Sequence, residues 1–88
     1  MDFEWDDAKD AANLKKHGLD FDAAARVFRD SWAIDEEDFS AVGEQRFKRI
    51  GMVAGRIVVV IYTFRGEAIR IISARKAERH EQRQYDKA

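Results

Sequence analysis

The second half of the chain contains three stretches whose hydrophobic and polar residues follow a β-strand pattern. Residues 45–53 (QRFKRIGMV) carry charges at the positions expected to face solvent, and residues 56–64 (RIVVVIYTF) form a continuous β-branched and aromatic run. Such a run is typical of a strand in the middle of a sheet, buried on both faces. Residues 68–74 (AIRIISA) make the third stretch, and short glycine-containing turns at 54–55 and 65–67 separate the three. The pattern predicts an antiparallel meander.

A helical period replaces the strand pattern in the first half. Asp6 or Asp7 can cap a helix over about residues 7–17, whose predicted apolar face consists of Ala8, Ala11, Ala12 and Leu14. Asp20 is a suitable N-cap for a second helix, in which one face is formed by Phe21, Ala24, Ala25 and Phe28. Both helices are expected to pack on one face of the sheet.

Three shorter segments complete the predicted element order, β-α-α-β-β-β-β-α. Residues 3–5 (FEW) can form an edge strand, and residues 32–36 (WAIDE) have the pattern of a short strand. Residues 75–87 contain strong helix formers but lack an apolar stripe. This last helix must therefore be peripheral, docked through polar contacts or completed by a partner. The chain is expected to be one α+β domain spanning residues 1–88.

Composition narrows the class of protein. The 45% hydrophobic content is ordinary for a globular domain, and the absence of cysteine excludes disulfides and cysteine-ligated zinc. No apolar run approaches the roughly 20 residues needed to span a bilayer. The acidic start (MDFEWDDAKD) lacks the pattern of a signal peptide. A cytoplasmic protein is therefore predicted.

The net charge of −1 conceals an uneven distribution. Residues 1–44 carry five Lys/Arg against thirteen Asp/Glu, a net charge of −8, whereas residues 45–88 carry eleven against four, a net charge of +7. Such asymmetry indicates a polyanionic partner for the basic half. The alternative is that the two halves pack together and neutralise each other.

The segment LKKHGLDF, residues 14–21, combines two lysines and a histidine with a glycine. One interpretation explains the whole segment as a corner between two helices. In it, Gly18 takes a positive φ at the end of the first helix, and Leu19 supplies the accompanying hydrophobic contact. Lys15, Lys16 and His17 would then complement the negative end of the helix dipole. The alternative is that this corner forms part of an active site.

Three longer segments resemble one family across nearly the whole chain. WDDAKDAANLKKHGLDFDAA, then GEQRFKRIG, then RIISARKAERHEQRQY are similar to the BrnT family of bacterial type II toxin–antitoxin systems. The resemblance implies a RelE-like fold, with two N-terminal helices on an antiparallel sheet of about four strands and a C-terminal helix. It also implies an endoribonuclease that halts translation and is neutralised by a BrnA-type antitoxin. Operator DNA would be bound only through the antitoxin complex, for which a heterotetramer is one compatible assembly.

RNA cleavage without a metal ion requires a base that takes the proton from the ribose 2′-OH and cations that stabilise the charge on the phosphorane. It also requires an acid that protonates the leaving 5′-oxygen. The expected products are a 2′,3′-cyclic phosphate and a 5′-OH. His17 and His80 lie in different elements, so a two-histidine mechanism is one alternative. The other, implied by the resemblance, divides the roles among Arg, Lys, Glu and Tyr. No metal or cofactor is expected, because no Cys/His cluster has ligand spacing.

The predicted catalytic residues are Arg75, His17, Glu81 and Tyr85. Arg75 is placed at the junction of the last strand and the final helix, where a helix N-terminus favours anions; pairing with Glu78 is the alternative. Glu81 and Tyr85 are spaced i, i+4 and are expected to point the same way. Glu81 could act as a base or be a solvated surface carboxylate, and Tyr85 could donate a proton, stack on a base or anchor the helix.

The predicted RNA-binding residues are Lys16, Arg46, Lys48, Arg70, Lys76 and Arg79. Arg46 and Lys48 share one strand face, as phosphate contacts or as charges that protect an edge. Arg70 is expected on the opposite face from Arg75 if no bulge intervenes. Lys76 stands where the resemblance leads one to expect arginine, and it lacks the planar fork of that residue.

A second function remains open from the sequence. A catalytically weak protein of the same kind would bind an antitoxin and contribute to operator autoregulation, and the charge split and the polar last helix are compatible with either role.

Overall fold

The computed structural model describes residues 1–40 and 42–87. In chain order, the elements are β1 (Asp2–Glu4), α1 (Asp7–His17), α2 (Phe21–Ala25), a 3₁₀ helix (Arg26–Arg29), β2 (Ile34–Asp38), β3 (Arg46–Val53), β4 (Arg56–Arg65), β5 (Ala68–Lys76) and α3 (Arg79–Asp86). The predicted element order and the β3–β4–β5 meander are both present.

The sheet has five strands in the order β1-β5-β4-β3-β2, and it is mixed. β1 pairs with β5 in parallel, whereas the other three pairings are antiparallel. The antiparallel sheet of about four strands that the resemblance implies is therefore wrong in strand count and in one pairing, whereas the strand predicted near residues 3–5 is present as β1. The reason is that Phe3 buries against Phe28, which holds β1 alongside β5 at the sheet edge.

One face of the sheet, the α1 face, carries the main core. Phe21 and Ala24 of α2 and Val27 of the 3₁₀ helix are fully buried. They pack on the strands together with Val53, Val58, Val60, Ile71 and Ala74. The predicted inward face of the second helix is therefore confirmed, with Ala25 and Phe28 half-buried at its margin.

Helix α1 faces the sheet with polar residues, and its predicted apolar face is wrong. Ala8, Ala11, Ala12 and Leu14 are exposed, whereas Asn13 is buried. The Asn13 amide donates to the carbonyls of Leu19 and Ala74, both at 2.8 Å, and accepts from the Ala74 N–H at 3.2 Å. Three hydrogen bonds thus replace apolar burial, because small alanine side chains have little area to contribute.

The opposite face, the α3 face, has a smaller cluster. Ile50, Val59 and Ala77 are buried there, with Ile57, Ile61 and Tyr85 packed around them. Helix α3 is shorter than the predicted segment 75–87, because β5 continues to Lys76 by pairing with β4. Arg75 therefore belongs to a strand and does not stand at a helix N-terminus.

A β-bulge in β5 changes which residues share a face. Ile61 pairs with Ser73 but Tyr62 pairs with Ile71, so Ile72 is the extra residue. The bulge reverses the alternation, and Arg70 consequently lies on the α3 face with Arg75, against the expectation from simple alternation. The hydrophobic pattern does not reveal the bulge, because Ile71 and Ile72 are both apolar.

Among the helices of residues 1–40 and 42–87, none has the length and apolar character needed to cross a membrane.

The hydrogen bonds of Asn13 predict a large effect of a small substitution. Asn13→Ala leaves backbone groups of Leu19 and Ala74 without these partners, and we expect a loss of roughly 2 kcal/mol in the free energy of unfolding, measured by urea denaturation. Leu14→Ala, at the exposed neighbouring position, is the control and should change it by less than about 0.5 kcal/mol. Equal losses for both variants would contradict the assignment.

Candidate active site

Glu81 is the most buried charged residue of the α3 face, with 1% of its side chain exposed. Its carboxylate accepts from both terminal nitrogens of Arg75, at 2.7 Å and 2.9 Å, in a bidentate pair. The Lys48 ammonium lies 2.7 Å from the same carboxylate. A single carboxylate thus joins α3, β5 and β3, and we call these three residues the Glu81 cluster.

The sequence at the start of α3 explains why Glu81 turns inward. Glu78 is the N-cap, and Glu81 at the third helical position accepts from the Glu78 N–H at 2.8 Å. This reciprocal capping box satisfies backbone donors at the helix N-terminus. The anion that this helix N-terminus attracts is therefore a carboxylate of the chain itself.

The pKa values follow from these contacts. The hydrogen bond from Arg75, together with Lys48 and the Glu78 N–H, holds the pKa of Glu81 far below its usual range despite burial. Burial alone would lower the pKa of Lys48, but the hydrogen bond and charge of Glu81 raise it above its ordinary value. Glu81 therefore stays ionised and is a poor base near neutral pH, and Lys48 stays protonated.

The other predicted cations of the α3 face have carboxylate partners as well. Arg46 lies 3.4 Å from Glu44, and Arg70 lies 2.8 Å from Glu4 of β1. Arg70 thus shares a face with Arg75 but is held at the edge beside β1. Of the predicted RNA-binding residues, only Lys48 contacts the same group as Arg75.

Tyr85 points to the same side as Glu81 but has a separate partner. Its hydroxyl donates to the Asp30 carboxylate at 2.7 Å, and that hydrogen bond raises the pKa of Tyr85. Its ring packs on the small apolar cluster of the α3 face. This geometry fits the interpretation of Tyr85 as the anchor of α3, since the hydroxyl already donates its proton within the fold.

The Lys16–His17–Gly18 corner lies apart from the Glu81 cluster. Gly18 has φ 69° and donates to the Leu14 carbonyl at 2.8 Å, and Leu19 packs against the main core. The structural interpretation of the corner is thereby confirmed. The corner lies on the α1 face, opposite Arg75, so His17 and Arg75 do not form one site.

Two further predicted residues also lie outside the Glu81 cluster. Lys76 faces the α1 side because successive residues of β5 alternate, and it lines a cavity of about 230 Å³ together with His17. Arg79, at the first position of α3, is exposed.

The structure also contains a hydrogen-bond and ion-pair network around Asp30 and Asp35 that the sequence pattern does not predict. The Asp30 carboxylate accepts from the Met52 N–H at 2.8 Å and from Tyr85, and these bonds lower the pKa of Asp30 although burial acts the other way. Asp35 binds Arg49 and accepts from the Tyr62 hydroxyl at 2.8 Å. No local pattern marks these partners, because each pair joins distant segments of the chain.

No group of three or more His, Cys, Asp or Glu side chains placed to hold a metal ion occurs within residues 1–40 and 42–87.

A cavity of about 530 Å³ is lined by Met1, Phe3, Phe28 and Arg29, among others, and none of the predicted site residues lines it. In the Glu81 cluster, Arg75 and Lys48 are cations held in place by one carboxylate, and such cations can bind a phosphate and stabilise negative charge on it.

The Glu81 cluster predicts a pH-dependent stability. The pKa of Glu81 is lowered on folding, so its contribution is present above its ordinary value of 4.5 and is lost as the pH falls further. Glu81→Gln should lose roughly 2 kcal/mol in the free energy of unfolding at pH 7, less than a fully buried pair because Arg75 is 34% exposed. In urea denaturation, the difference from wild type should shrink as the pH falls below about 4.5.

Glu36→Gln is the matched control. Glu36 also approaches Lys48, at 3.5 Å, but is 44% exposed, so its loss should be below about 0.5 kcal/mol. A constant difference between Glu81→Gln and wild type from pH 7 to pH 3 would contradict the role of the charge.

Comparison with known proteins agrees with the resemblance. The family model described as "Ribonuclease toxin, BrnT, of type II toxin-antitoxin system" matches residues 5–81. The matched segment includes the corner at His17 and all three residues of the Glu81 cluster, and it stops before Tyr85. Among curated proteins, none matches the chain. Because the match covers most of its length, the chain belongs to the BrnT family of ribonuclease toxins of type II toxin–antitoxin systems.

Proposed function

We propose that this protein is an endoribonuclease that needs no metal ion, and that the scissile phosphate of the RNA binds at the Glu81 cluster. The single observation that supports this site is the buried carboxylate that fixes Arg75 and Lys48, two cations from different strands, on a sheet face that α3 covers only in part. Membership of a family of ribonuclease toxins supports the reaction class.

In the proposed reaction, the ribose 2′-oxygen forms a bond to phosphorus and the bond from phosphorus to the 5′-oxygen breaks. The products are a 2′,3′-cyclic phosphate and a 5′-OH. Arg75 and Lys48 are placed to stabilise the additional negative charge of the phosphorane. They remain 34% and 19% exposed, so part of each side chain stays open to a phosphate.

Side chains of the Glu81 cluster do not supply the proton transfers in this proposal. Glu81 is kept ionised by two cations, and the raised pKa of Lys48 makes its ammonium a poor acid. The 2′-OH proton therefore passes to hydroxide or water, and water protonates the 5′-oxygen. In this proposal, Glu81 holds Arg75 in position, and Tyr85 contributes by holding α3, the helix that carries Glu81, against the sheet.

A type II toxin family implies an antitoxin partner. We propose a BrnA-type antitoxin that covers the RNA site, with operator DNA bound only through the complex. A catalytically weak, antitoxin-binding protein is the alternative function. It is favoured by one observation, that each predicted cation of the α3 face already has a carboxylate partner.

Cleavage of a defined RNA in EDTA tests the proposal. Wild-type protein should cut it and leave a 2′,3′-cyclic phosphate, identified by mass spectrometry of the fragments. Arg75→Lys keeps the charge beside Glu81 but loses the bidentate fork, and we expect kcat to fall by about 100-fold. The control Arg83→Ala, at an exposed position of α3, should cleave like wild type.

Two results would decide against the proposal. Intact RNA with wild-type protein would favour the antitoxin-binding alternative. Cleavage that stops on chelation and returns with a divalent cation would contradict metal independence.

The pH dependence of cleavage tests the absence of a side-chain base. The rate should rise continuously from pH 6 to pH 9, because hydroxide concentration limits deprotonation of the 2′-OH. A bell-shaped profile whose acid limb disappears in His17→Ala would show that the corner takes part in catalysis, and would overturn the proposed division of roles.

A further inference from the structure

Two cations without a carboxylate partner among the described residues, Arg56 and Lys76, stand together at one end of the sheet. Within residues 1–40 and 42–87, ion pairs within 4.0 Å engage six basic residues: Arg26, Arg46, Lys48, Arg49, Arg70 and Arg75. Arg56 is the first residue of β4, and Lys76, the last residue of β5, pairs with Val58 two positions further along β4. Neither takes part in an ion pair among these described residues. Both side chains are exposed.

Arg56 and Lys76 border a cavity on the α1 face. We call it the corner cavity; it measures about 230 Å³ and lies between the α1–α2 corner and the β3–β4 turn. Its apolar floor includes Leu19, Val53 and Val58, and its basic rim consists of His17, Arg26, Arg56 and Lys76. Among the residues that the structure describes, no aspartate or glutamate lines it. Arg26 has one acidic neighbour, Asp22 at 4.0 Å, and both side chains are more than half exposed.

The same two cations also border a cleft on the other side of the sheet. That cleft measures about 310 Å³, and Ile57 and Gln82 place it beside α3. Arg56 and Lys76 therefore stand at the end of the sheet, between its two faces. Lys76 directly follows Arg75, whose guanidinium donates to the Lys76 carbonyl at 3.3 Å.

The chemistry of this arrangement fits a chain of phosphates. A ribonucleotide strand bound at Arg75 carries a further charge at each successive phosphate, and Arg56 and Lys76 supply the next cations along the sheet end. The apolar floor of the corner cavity can receive a base or ribose, and the basic rim can receive its phosphate. An acidic protein segment would meet the same charges, but its carboxylate side chains offer no base or ribose to the apolar floor formed by Leu19, Val53 and Val58.

We propose that the corner cavity is a second RNA subsite, which holds a nucleotide adjacent to the one cleaved and is reached around the end of the sheet past Arg56 and Lys76. His17 is then a binding residue of this subsite and has no part in proton transfer. The identity of the strand as RNA rests on the proposed function.

Binding of an uncleavable strand measures the subsite separately from catalysis. The probe is a fluorescein-labelled 12-nucleotide RNA in which every ribose is 2′-O-methylated, followed by anisotropy at several salt concentrations. The double variant Arg56→Gln/Lys76→Gln should raise Kd by about tenfold, and the slope of log Kd against log salt should fall by about 1.4, the value for two phosphate contacts on a single strand.

The matched control is Arg65→Gln/Arg83→Gln, which removes the same charge. Arg65 is the exposed residue at the other end of β4, and Arg83 is exposed on α3. This variant should bind the probe within about twofold of wild type. Both double variants change exposed side chains, so both should keep the wild-type Tm.

Steady-state cleavage of an unmodified RNA adds a second readout. Arg56→Gln/Lys76→Gln should raise KM and leave kcat unchanged, because the subsite lies beyond the reacting phosphate. Wild-type affinity of this variant, or an equal loss in the control, would overturn the subsite and leave an acidic protein segment as the occupant of the corner cavity. If wild type binds the probe with the expected difference but cleaves no RNA, the subsite stands and the proposed catalysis fails.

Discussion

The position of α3 depends on one buried carboxylate. The helix contributes little apolar surface, with Ala77 before it and Tyr85 near its end, so dispersion and burial alone would hold it weakly. Glu81 compensates by accepting from Arg75, Lys48 and the Glu78 N–H at once. Taking a carboxylate out of water is costly, and it is tolerated here because each oxygen is satisfied by charged or backbone donors. The same contacts fix the orientation of Arg75 and Lys48. A change that weakens the docking of α3 is therefore expected to disturb the positions of both cations as well.

The uneven charge of the chain has two consequences in the fold. Several acidic residues of the first half neutralise basic residues of the second, as in the pairs Arg70–Glu4, Lys48–Glu36 and Arg49–Asp35. The interpretation that the halves neutralise each other is therefore correct for the two edges of the sheet, where β1 lies beside β5 and β2 lies beside β3. It does not extend to the sheet end, where Arg56 and Lys76 make no ion pair within the described residues. Among the described residues, part of the positive charge of the second half therefore has no acidic partner from the first half.

The local parts of the fold could be predicted because their causes are local. The side chain of Asp20 accepts from the Ala23 N–H at 2.7 Å, Gly18 ends α1 with a positive φ, and the meander follows its glycine turns. The errors arose where distant segments decide. Asn13 could be identified as the buried side of α1 only from its contact with Ala74, and the bulge at Ile72 leaves no trace between two isoleucines. For the site, the sequence indicated Arg75 and Glu81 but did not indicate that Glu81 binds both Arg75 and Lys48. Arg75 lies in β5 and Lys48 in β3, and these strands are separated by β4, so no pattern along the chain brings the two residues together.

Asn13 and Asp30 have a consequence for association with other chains. β1 pairs only with Ala68–Arg70, and β2 reaches only to Ile50 on β3, so β5 and β3 each extend beyond their outer neighbour. Asn13 takes the N–H and carbonyl of Ala74, and Asp30 takes the N–H of Met52, which closes both gaps to an incoming strand. Association by strand addition is thereby directed to the outer edges of β1 and β2. Of the four consecutive acidic residues of β2, 35–38, Asp35 and Glu36 are paired with Arg49 and Lys48, whereas the exposed Glu37 makes no ion pair within the described residues. A charged side chain at this position disfavours pairing of this edge with the same edge of a second copy.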